Sequence, residues 1–585
     1  MFLFDFFRSF LPLHNPLGFG ASDFVEFALV VLLVALILAR GLVEPAARRL
    51  ATRTGWCMLL LFVLPVVLRL ALLPHFPVPT PGGADDYGYL LLADTLRHFR
   101  LTNPAHPMHQ FFETVFVLQQ PTYSSIYSPG QGLVLAIGWT LAGHPWAGVM
   151  LGAGAFCSLT YWMLRGWTTP VWALVGGLLA VCEFGPLNEW MNIYWGGAVS
   201  AAAGCLVFGA LPRLRTDGGR RNAVLLGVGL GIHLLTRPFE SIFLWTAVVA
   251  WLLPGWRRLL PGWRRLLPEW RRMAKLAGPV ALAGPVALAV LPAIALTLFH
   301  AHAVTGSWTT IPYAESRYQY GVPTTFTFQP NPVPHRDLTT QQRLTAEGQA
   351  EVHGDEPDTP GRFLERWATR LRFYRFFLLA PLYLALPFFL LRLGEFRFAW
   401  AAGTVLLFSL GTTIYPYFFP QYVAATACLL VLAAIAGLER LSRISREAAR
   451  WLLFLAAAHF LFWYGLHAWG NDRIFLAMRR YESWDFVNFG DPEGRAAVDQ
   501  KLAQIPGKKL VFVRYGPEHR YHEWIHNAAD IDGSPVVMAL DLGSENAKLR
   551  QYYPDRSAWL LEPDARPVRL GPYRDQDDSP FMDVR

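Results

Sequence analysis

Long apolar runs recur along the whole sequence, and most are of a length to cross the hydrocarbon core of a bilayer, which is about 30 Å thick. Of the 585 residues, 53% are hydrophobic and only 16% are charged, whereas soluble domains carry about 25% charged residues. The runs therefore predict a polytopic α-helical membrane protein with about twelve transmembrane helices. The predicted spans are 24–42, 55–74, 147–164, 170–184, 195–211, 222–236, 240–254, 278–298, 373–391, 398–416, 421–437 and 451–467.

Basic residues gather in the short loops on one side of these spans. Arginines cluster in the stretch 256–275 and after the first, third, fifth, ninth and eleventh spans. Simple alternation puts all of these loops on one face, provided that the run 131–143, which is too short to span, does not cross. The opposite turns 185–194 and 417–420 contain no Lys or Arg. Because positive loops mark the cytoplasmic side, three large segments are predicted to lie outside: 75–146, 299–372 and 468–585.

Two adjacent carboxylates lie in the first external segment. Asp85 and Asp86 follow a Pro/Gly turn and precede a predicted amphipathic helix from Tyr89 to Arg97. At the beginning of a helix an acidic side chain is favoured by the helix dipole, and it can cap the helix by accepting backbone N–H groups. A carboxylate at the membrane surface is also suited to general-base chemistry. From the residue pattern alone, a capping role and a catalytic role are equally open.

Two motifs in this region resemble those of a known family. The acidic pair is followed by Tyr and an LLAxxL helix, and an aromatic-Ser-Pro-Gly-Gln-Gly-Leu run, Tyr127–Leu133, opens an apolar segment. In these motifs the chain resembles the GT-C superfamily of membrane glycosyltransferases, most of all the bacterial branch with protein mannosyltransferases and aminoarabinose transferases. Family members commonly have Asp-Glu at the pair and Pro-Pro where this chain has Ser128-Pro129. The resemblance implies a GT-C-like fold in residues 1–467.

The resemblance also implies an activity. Such enzymes transfer a sugar from a polyprenyl phosphate or diphosphate to a glycan, lipid or protein acceptor, here at the periplasmic face of a bacterial inner membrane. Asp85 or Asp86 would act as general base in a single inverting displacement, and which of them does so stays open. Both could instead bind Mg²⁺ or Mn²⁺, which favour oxygen ligands. No nucleic-acid partner is implied, because the excess of 51 basic over 43 acidic residues is accounted for by the cytoplasmic loops.

Few cations lie near the outer face, and these are candidates for binding the donor phosphate. Arg237 is in a turn between two spans, on the same side as Asp85, where its planar guanidinium suits phosphate oxygens. An ion pair with Glu240, three residues further on, is the structural alternative, since a charge at membrane depth needs a partner. Arg69, near the outer end of the second span, either binds phosphate or extends to the interface.

Aromatic, amide and charged side chains of the external segments are predicted to bind the sugar or the lipid of the donor. Aromatic faces and amides suit sugars, and membrane lipids are further expected partners. The alternative is an ordinary aromatic belt at the membrane interface. The predicted residues are Tyr89, Glu189, Asn192, Tyr194, Trp195, Glu240, Arg317, Tyr318 and Tyr422.

The last part of the chain, 468–585, has a different pattern. Short buried strands alternate with a helix, which predicts a small C-terminal periplasmic α/β domain. The predicted strands are 508–515, 535–542 and 557–563, and the predicted helix is 545–553. The segment also contains a literal His-Glu-x-x-His pattern, His522 to His526, which is typical of zinc peptidases when it lies on a helix with a third ligand nearby.

A transporter or flippase of a lipid-linked saccharide is the main alternative function, because it would share the spans, the arginines and the aromatic lining. Transporters place ionisable groups near the bilayer midplane, whereas the acids here lie in external loops. A membrane peptidase acting through His522, Glu523 and His526 is a third hypothesis. The position of the acids favours the transferase.

Overall fold

The computed structural model describes residues 40–216, 219–252, 279–469, 494–574 and 582–583, together with residues 32 and 35. Most of the described chain is α-helical. Short helical turns, among them Glu189–Asn192 and Leu386–Leu390, join the longer helices. The longer helices are α1 (Arg40–Ala51), α2 (Thr54–Ala71), α3 (Ala84–Arg97), α4 (Pro129–Ala142), α5 (Trp146–Leu164), α6 (Pro170–Phe184), α7 (Ala198–Thr216), α8 (Arg220–Thr236), α9 (Pro238–Leu252), α10 (Pro279–Thr305), α11 (Pro312–Tyr320), α12 (Thr340–His353), α13 (Pro360–Arg370), α14 (Phe396–Thr412), α15 (Ala427–Ile444) and α16 (Arg446–Trp469).

Several of the helices have the length and apolar composition of membrane spans. Within the described residues, four helices meet both criteria: Thr54–Ala71, Trp146–Leu164, Ala283–Thr305 and Pro420–Ile444. They coincide with four of the predicted spans, and the chain is an integral membrane protein. Four more apolar helices are shorter: Pro170–Phe184, Ala198–Leu214, Pro238–Leu252 and Phe396–Thr412. The total of twelve spans stays a prediction.

One predicted span, 373–391, is broken in the structure. Its two pieces, Pro360–Phe377 and Ala380–Leu390, meet at an angle of 110°. Pro381 lies in the first turn of the second piece, where a proline starts a helix readily but cannot donate the backbone hydrogen bond that would continue one. The predicted span 24–42 lies mostly outside the described residues.

The helix that carries the acidic pair is held against the membrane helices by close packing. Helix α3 packs against α4, which is the short run predicted not to cross, and α4 packs against α5. A Cβ on Gly132 would lie 2.6 Å from the Leu92 side chain, and a Cβ on Gly138 would lie 1.9 Å from the backbone nitrogen of Gly148. Side chains at these positions would push the helices apart, so the glycines set the position of α3.

A small sheet follows α3 in the first external segment. It has three short antiparallel strands in the order β1-β3-β2. The strands are β1 (Asn103–Pro104), β2 (Val117–Leu118) and β3 (Thr122–Ser125). Ser128 follows at the N-cap of α4, so this sheet carries the chain from α3 to Tyr127 beside the beginning of α4.

The C-terminal part contains a five-stranded sheet in the order β5-β4-β6-β7-β8. Strands β5 and β6 flank β4 in parallel, while β7 and β8 continue the sheet antiparallel. Strands β4, β5 and β6 lie where strands were predicted, whereas β7 and β8 were not predicted. The elements are β4 (Lys508–Val513), β5 (Val536–Leu540), β6 (Arg556–Glu562), β7 (Arg569–Pro572), β8 (Met582–Asp583), α17 (Arg495–Gln504) and α18 (Asn546–Tyr552).

This C-terminal unit packs directly on the first external segment. One hydrophobic cluster joins Leu91 of α3 and Phe112 to Phe512, Ile531 and Leu549 of the C-terminal unit. The helix with the acidic pair is therefore enclosed between the membrane helices on one side and the C-terminal unit on the other.

Candidate active site

Helix α3 begins at Ala84, earlier than predicted, and its first turn separates the two carboxylates. Gly83 is the N-cap and has extended backbone angles, φ −90° and ψ 158°. Consecutive helical residues point about 100° apart, so Asp85 and Asp86 face different surroundings. The two acids are not equivalent in the structure.

Asp86 is buried and serves the fold. Its Oδ2 accepts the backbone N–H groups of Gly82 (3.3 Å) and Gly83 (3.5 Å), and its Oδ1 accepts the N–H of Tyr194 (3.0 Å). These bonds cap α3 and join it to the turn at 185–194. Burial raises the pKa of Asp86 to about 6, although the backbone hydrogen bonds oppose the rise.

Asp85 faces a cavity and keeps one carboxylate oxygen without a side-chain hydrogen bond among the described residues. The Tyr127 hydroxyl donates to its Oδ1 at 2.5 Å. Gly88 makes this contact possible, because a Cβ there would lie 2.7 Å from the Tyr127 ring. Burial raises the pKa of Asp85, while the Tyr127 hydrogen bond and the charge of Arg237 lower it. A carboxylate held in this way by one oxygen offers the other as a proton acceptor.

The cavity has a volume of about 430 Å³, within the range of small-molecule binding sites. Its walls come from α3, the beginning of α4, the turn between α8 and α9, α11, the loop before α15, and the C-terminal unit. The structure brings seven of the sequence-predicted residues together there: Asp85, Tyr89, Trp195, Arg237, Glu240, Arg317 and Tyr422.

Arg237 caps the end of α8 and lines the cavity. Its guanidinium carbon lies 5.1 Å from the centre of the Tyr422 ring. Its Nη2 is buried and has no hydrogen-bond partner among the described residues. Glu240 also lines the cavity, but the described residues contain no ion pair between the two side chains within 4.0 Å. An unpaired guanidinium nitrogen at membrane depth is costly unless a ligand accepts its hydrogen bond.

Arg317 lines the cavity but has protein partners. Its Nε donates to the Pro323 carbonyl at 3.0 Å, and its Nη2 donates to the Thr324 carbonyl at 3.1 Å. These bonds hold the loop that follows α11, so the side chain shapes the wall of the cavity.

Three of the predicted residues form a buried network away from the cavity. Arg69 donates to Asn192 Oδ1 (2.7 Å) and to the carbonyls of Phe76 (3.0 Å) and Pro77 (3.0 Å). Asn192 in turn donates to backbone carbonyls, and the Tyr194 hydroxyl donates to the carbonyl of Pro79 at 2.8 Å. Arg69 is fully buried rather than extended to the interface. The network holds the first external segment against the turn at 185–194.

Two other predicted residues also lie outside the cavity lining. Glu189 accepts a hydrogen bond from Gln421 at 3.1 Å, and burial raises the pKa of Glu189 to about 7. Tyr318 is 57% exposed and stacks on His335, with ring centres 4.0 Å apart. Both side chains have structural partners, and neither is directed at Asp85.

Sequence reasoning missed most of the aromatic lining. The rings of Tyr89 and Tyr127 stack with centres 4.2 Å apart, and the hydroxyls of Tyr313 and Tyr415 are 3.0 Å apart. Tyr521 reaches the same cavity from the C-terminal unit. Tyr127 was within the recognised motif, but a single sequence gives no signal that distant tyrosines converge. The aromatic part of the wall also includes Phe116, Phe239, Phe326, Tyr417 and Phe419.

The carboxylates suggested as metal ligands do not converge on one point. Both oxygens of Asp86 accept backbone N–H groups, and only Asp85 lines the cavity. Across the described ranges, no group of three or more His, Cys, Asp or Glu side chains is placed to hold a metal ion. This donor set does not fit Mg²⁺ or Mn²⁺, which need more oxygen ligands.

The His-Glu-x-x-His pattern does not lie on a helix. The segment from 520 to 527 is irregular. Glu523 is buried and accepts hydrogen bonds from the Tyr515 hydroxyl (2.5 Å) and from the backbone N–H of Ile525 (3.1 Å), while His526 Nδ1 bonds the Trp524 carbonyl at 2.9 Å. The helical geometry that a zinc peptidase needs is absent from this described segment.

No family model matches the chain, and no curated protein matches it. Among solved structures it is similar to ArnT from Cupriavidus metallidurans, solved in the apo state and bound to undecaprenyl phosphate. The identity is 13%, the match covers 87% of this chain and 93% of that chain, and the TM-score is 0.47. It is also similar to the Archaeoglobus fulgidus oligosaccharyltransferase in complex with Zn and sulfate, with 10% identity, coverage of 86% and 67%, and a TM-score of 0.44.

Proposed function

We propose that this protein transfers a sugar from a polyprenyl-phosphate-type lipid donor to an acceptor hydroxyl, with Asp85 as general base and Arg237 as the donor-phosphate ligand. The observation that carries the proposal is their shared cavity. One wall holds a carboxylate with an oxygen available to accept a proton, and another holds a guanidinium with a buried, unpaired nitrogen. The enzyme would lie in a bacterial inner membrane with this cavity at the periplasmic face.

The proposed reaction is one displacement at the anomeric carbon. The acceptor oxygen attacks this carbon from the side opposite the phosphate, and its proton passes to Asp85 Oδ2. The new glycosidic bond forms as the bond between the anomeric carbon and the phosphate oxygen breaks, so the configuration inverts. A hydroxyl is a weak nucleophile, and a base at this position contributes about 10²–10⁴ in rate.

The leaving group is a lipid phosphate, which gains negative charge as the bond breaks. Arg237 is suited to this charge, because its unpaired Nη2 can donate to a phosphate oxygen. Its position at the end of α8, between two apolar helices, suits a donor whose lipid tail stays in the membrane. The Tyr422 ring beside the guanidinium holds it in place by a cation–π contact.

The aromatic wall suits a sugar bound between the base and the arginine. The stacked pair Tyr89 and Tyr127 presents ring faces, and Trp195 lies on another side of the cavity. Such walls bind the C–H faces of a sugar, while hydroxyl groups such as those of Tyr313 and Tyr415 can bond its edges. Glu240 adds a carboxylate that can accept sugar hydroxyls.

The experiment measures the fate of the donor in membranes that contain the full-length protein. Mass spectrometry of lipid-linked sugars should show donor consumption by the wild type and its loss in Asp85→Asn. Asp337→Asn is the matched control, because Asp337 is an exposed carboxylate of the second external segment. If wild-type protein moves the donor across the membrane with its glycosidic bond intact, the protein is a flippase and the proposal is wrong.

A further inference from the structure

A second cavity lies on the other side of helix α3. It has a volume of about 290 Å³, just below the range of about 300–1,000 Å³ that is typical of small-molecule sites. Asp85 and Tyr89, four residues apart, face the first cavity, whereas Tyr87, Leu91 and Asp94 line the second. The spacing of four and three residues puts each set on one face of the helix. The opposite wall of the second cavity belongs to the C-terminal unit.

The two buried carboxylates of the second cavity already have partners. Asp94 Oδ1 accepts from Arg97 Nε at 2.6 Å, and its Oδ2 accepts the backbone N–H of Ala529 at 2.7 Å. Glu523 accepts from the Tyr515 hydroxyl and from two backbone N–H groups. A third lining carboxylate, Asp499, is exposed rather than buried. Because both buried carboxylates are already paired, the buried part of the cavity does not select an ion, and a neutral ligand is favoured.

Unused hydrogen-bonding groups of both kinds remain in this cavity. Arg97 has no described partner for its two Nη groups, although it lies over the Trp139 ring at 4.2 Å. Gln119 is fully buried, and its Oε1 has no partner among the described residues. His526 donates from Nδ1 to the Trp524 carbonyl, so its Nε2 is an acceptor without a described partner. Burial lowers the pKa of His526 to about 4, which keeps the ring neutral.

Ligand hydroxyl groups match this combination, because a hydroxyl can donate to an acceptor such as His526 or accept from a donor such as Arg97. Aromatic rings, including Tyr87 and Trp139, supply apolar surface between these polar groups. Sugars present C–H faces bordered by hydroxyl groups, and so have both kinds of surface in one small neutral molecule.

We propose that the cavity between α3 and the C-terminal unit is a second binding site, for a neutral saccharide of one or two rings. It is separate from the cavity with Asp85 and does not depend on the proposed transferase activity. The hydroxyl groups of the saccharide would bond Arg97, Gln119 and His526, and its C–H face would contact the aromatic rings.

The test uses the full-length protein in nanodiscs and saturation-transfer NMR of sugar ring protons. The probes are methyl β-D-glucopyranoside, methyl α-D-mannopyranoside and maltose, with glucuronate as the charged comparison. Saturation transfer to a neutral probe is expected. His526→Phe keeps the ring stacked on Tyr87, where the centres are 4.4 Å apart, but removes the acceptor, and should weaken binding about three- to tenfold.

Two further variants make the result decisive. Thr80→Trp fills the cavity from its lining without removing a described hydrogen bond, and should weaken the signal even if His526→Phe does not fold. Asp337→Asn, at an exposed carboxylate outside both cavities, should leave the signal intact. No transfer to any neutral probe, or transfer in Thr80→Trp equal to that of the wild type, would overturn the proposal. The donor-consumption assay with Asp85→Asn tests the proposed function separately.

Discussion

Replacing Asp85 with Asn separates the chemistry of the site from its architecture. Asn keeps an oxygen that can accept the Tyr127 hydroxyl, which bonds Oδ1 at 2.5 Å in the wild type. It loses the negative charge and the second acceptor oxygen, and with them the ability to take a proton from an acceptor hydroxyl. The shape of the cavity should therefore change little, while the base is lost.

The expected rate loss follows from the role of a general base, about 10²–10⁴-fold, or roughly 3–5 kcal/mol of transition-state stabilisation. The free energy of unfolding should change by less than about 1 kcal/mol, because removal of a desolvated charge offsets the weaker hydrogen bond to Tyr127. A large loss of activity with a small change in stability distinguishes a reacting group from a structural one.

Asp86→Asn is the matched control, since it makes the same chemical change on the neighbouring residue. Asp86 bonds three backbone N–H groups and does not line the cavity. Its replacement should alter the amount of folded protein, but the rate for each folded molecule should stay within about tenfold of wild type.

The assay is the initial rate of donor consumption, measured by mass spectrometry and divided by the amount of folded protein from size-exclusion chromatography. Thermal unfolding of the same samples reports stability. Equal rate losses for the two variants, once corrected for folding, would refute the division of roles. So would an Asp85→Asn enzyme that keeps more than a tenth of the wild-type rate.

Two more predictions concern pH, and two concern the arginines. Tyr127→Phe removes a hydrogen bond that lowers the pKa of Asp85, so the acid limb of the pH–rate profile should move to higher pH. The Asp86 pKa of about 6 exceeds the unfolded value of 3.8, so the folded state binds the extra proton. The free energy of unfolding should therefore decrease as the pH rises from about 4 to 6, by up to roughly 3 kcal/mol. Thermal unfolding at a series of pH values measures this decrease. In Asp86→Asn this slope should disappear. Arg237→Ala should weaken binding of a polyprenyl phosphate about ten- to hundredfold in a titration, because a charge-assisted hydrogen bond is lost; an unchanged affinity would count against phosphate binding. Arg69→Met leaves three acceptors unpaired, at about 1–3 kcal/mol each; it should lower the melting temperature and leave the donor KM of the folded fraction unchanged.

Short local patterns in the sequence identified several residues that line the candidate site. Three short patterns gave this information. They are the acidic pair beside a Pro/Gly turn, the arginine between two apolar runs, and the aromatic motif that contains Tyr127. The structure brings Asp85, Arg237 and Tyr127 to one cavity. Strands β4, β5 and β6 of the C-terminal unit were also predictable, since each lies in a short apolar run between turn residues, whereas β7 and β8 are too short and polar to give this signal.

The sequence alone could not distinguish the role of Asp85 from that of Asp86. Both occupy the first turn of the same helix, and their surroundings are set by Tyr127 and by the backbone of Tyr194, which are far away along the chain. The beginning of α3 was placed too late. Gly88 there gives room for Tyr127, a requirement that only the fold reveals.

Arginines near the membrane look alike in sequence, and hydrogen-bonding partners distinguish them in the structure. Arg69 donates to three protein acceptors, and Arg370 to the backbone carbonyls of Thr412, Tyr415 and Pro416. Arg237 lies in a cavity with a buried nitrogen that lacks a described partner. Since an unpaired buried donor destabilises the protein that carries it, folding explains the first two arginines, and for the third we propose a ligand whose binding supplies the missing acceptor.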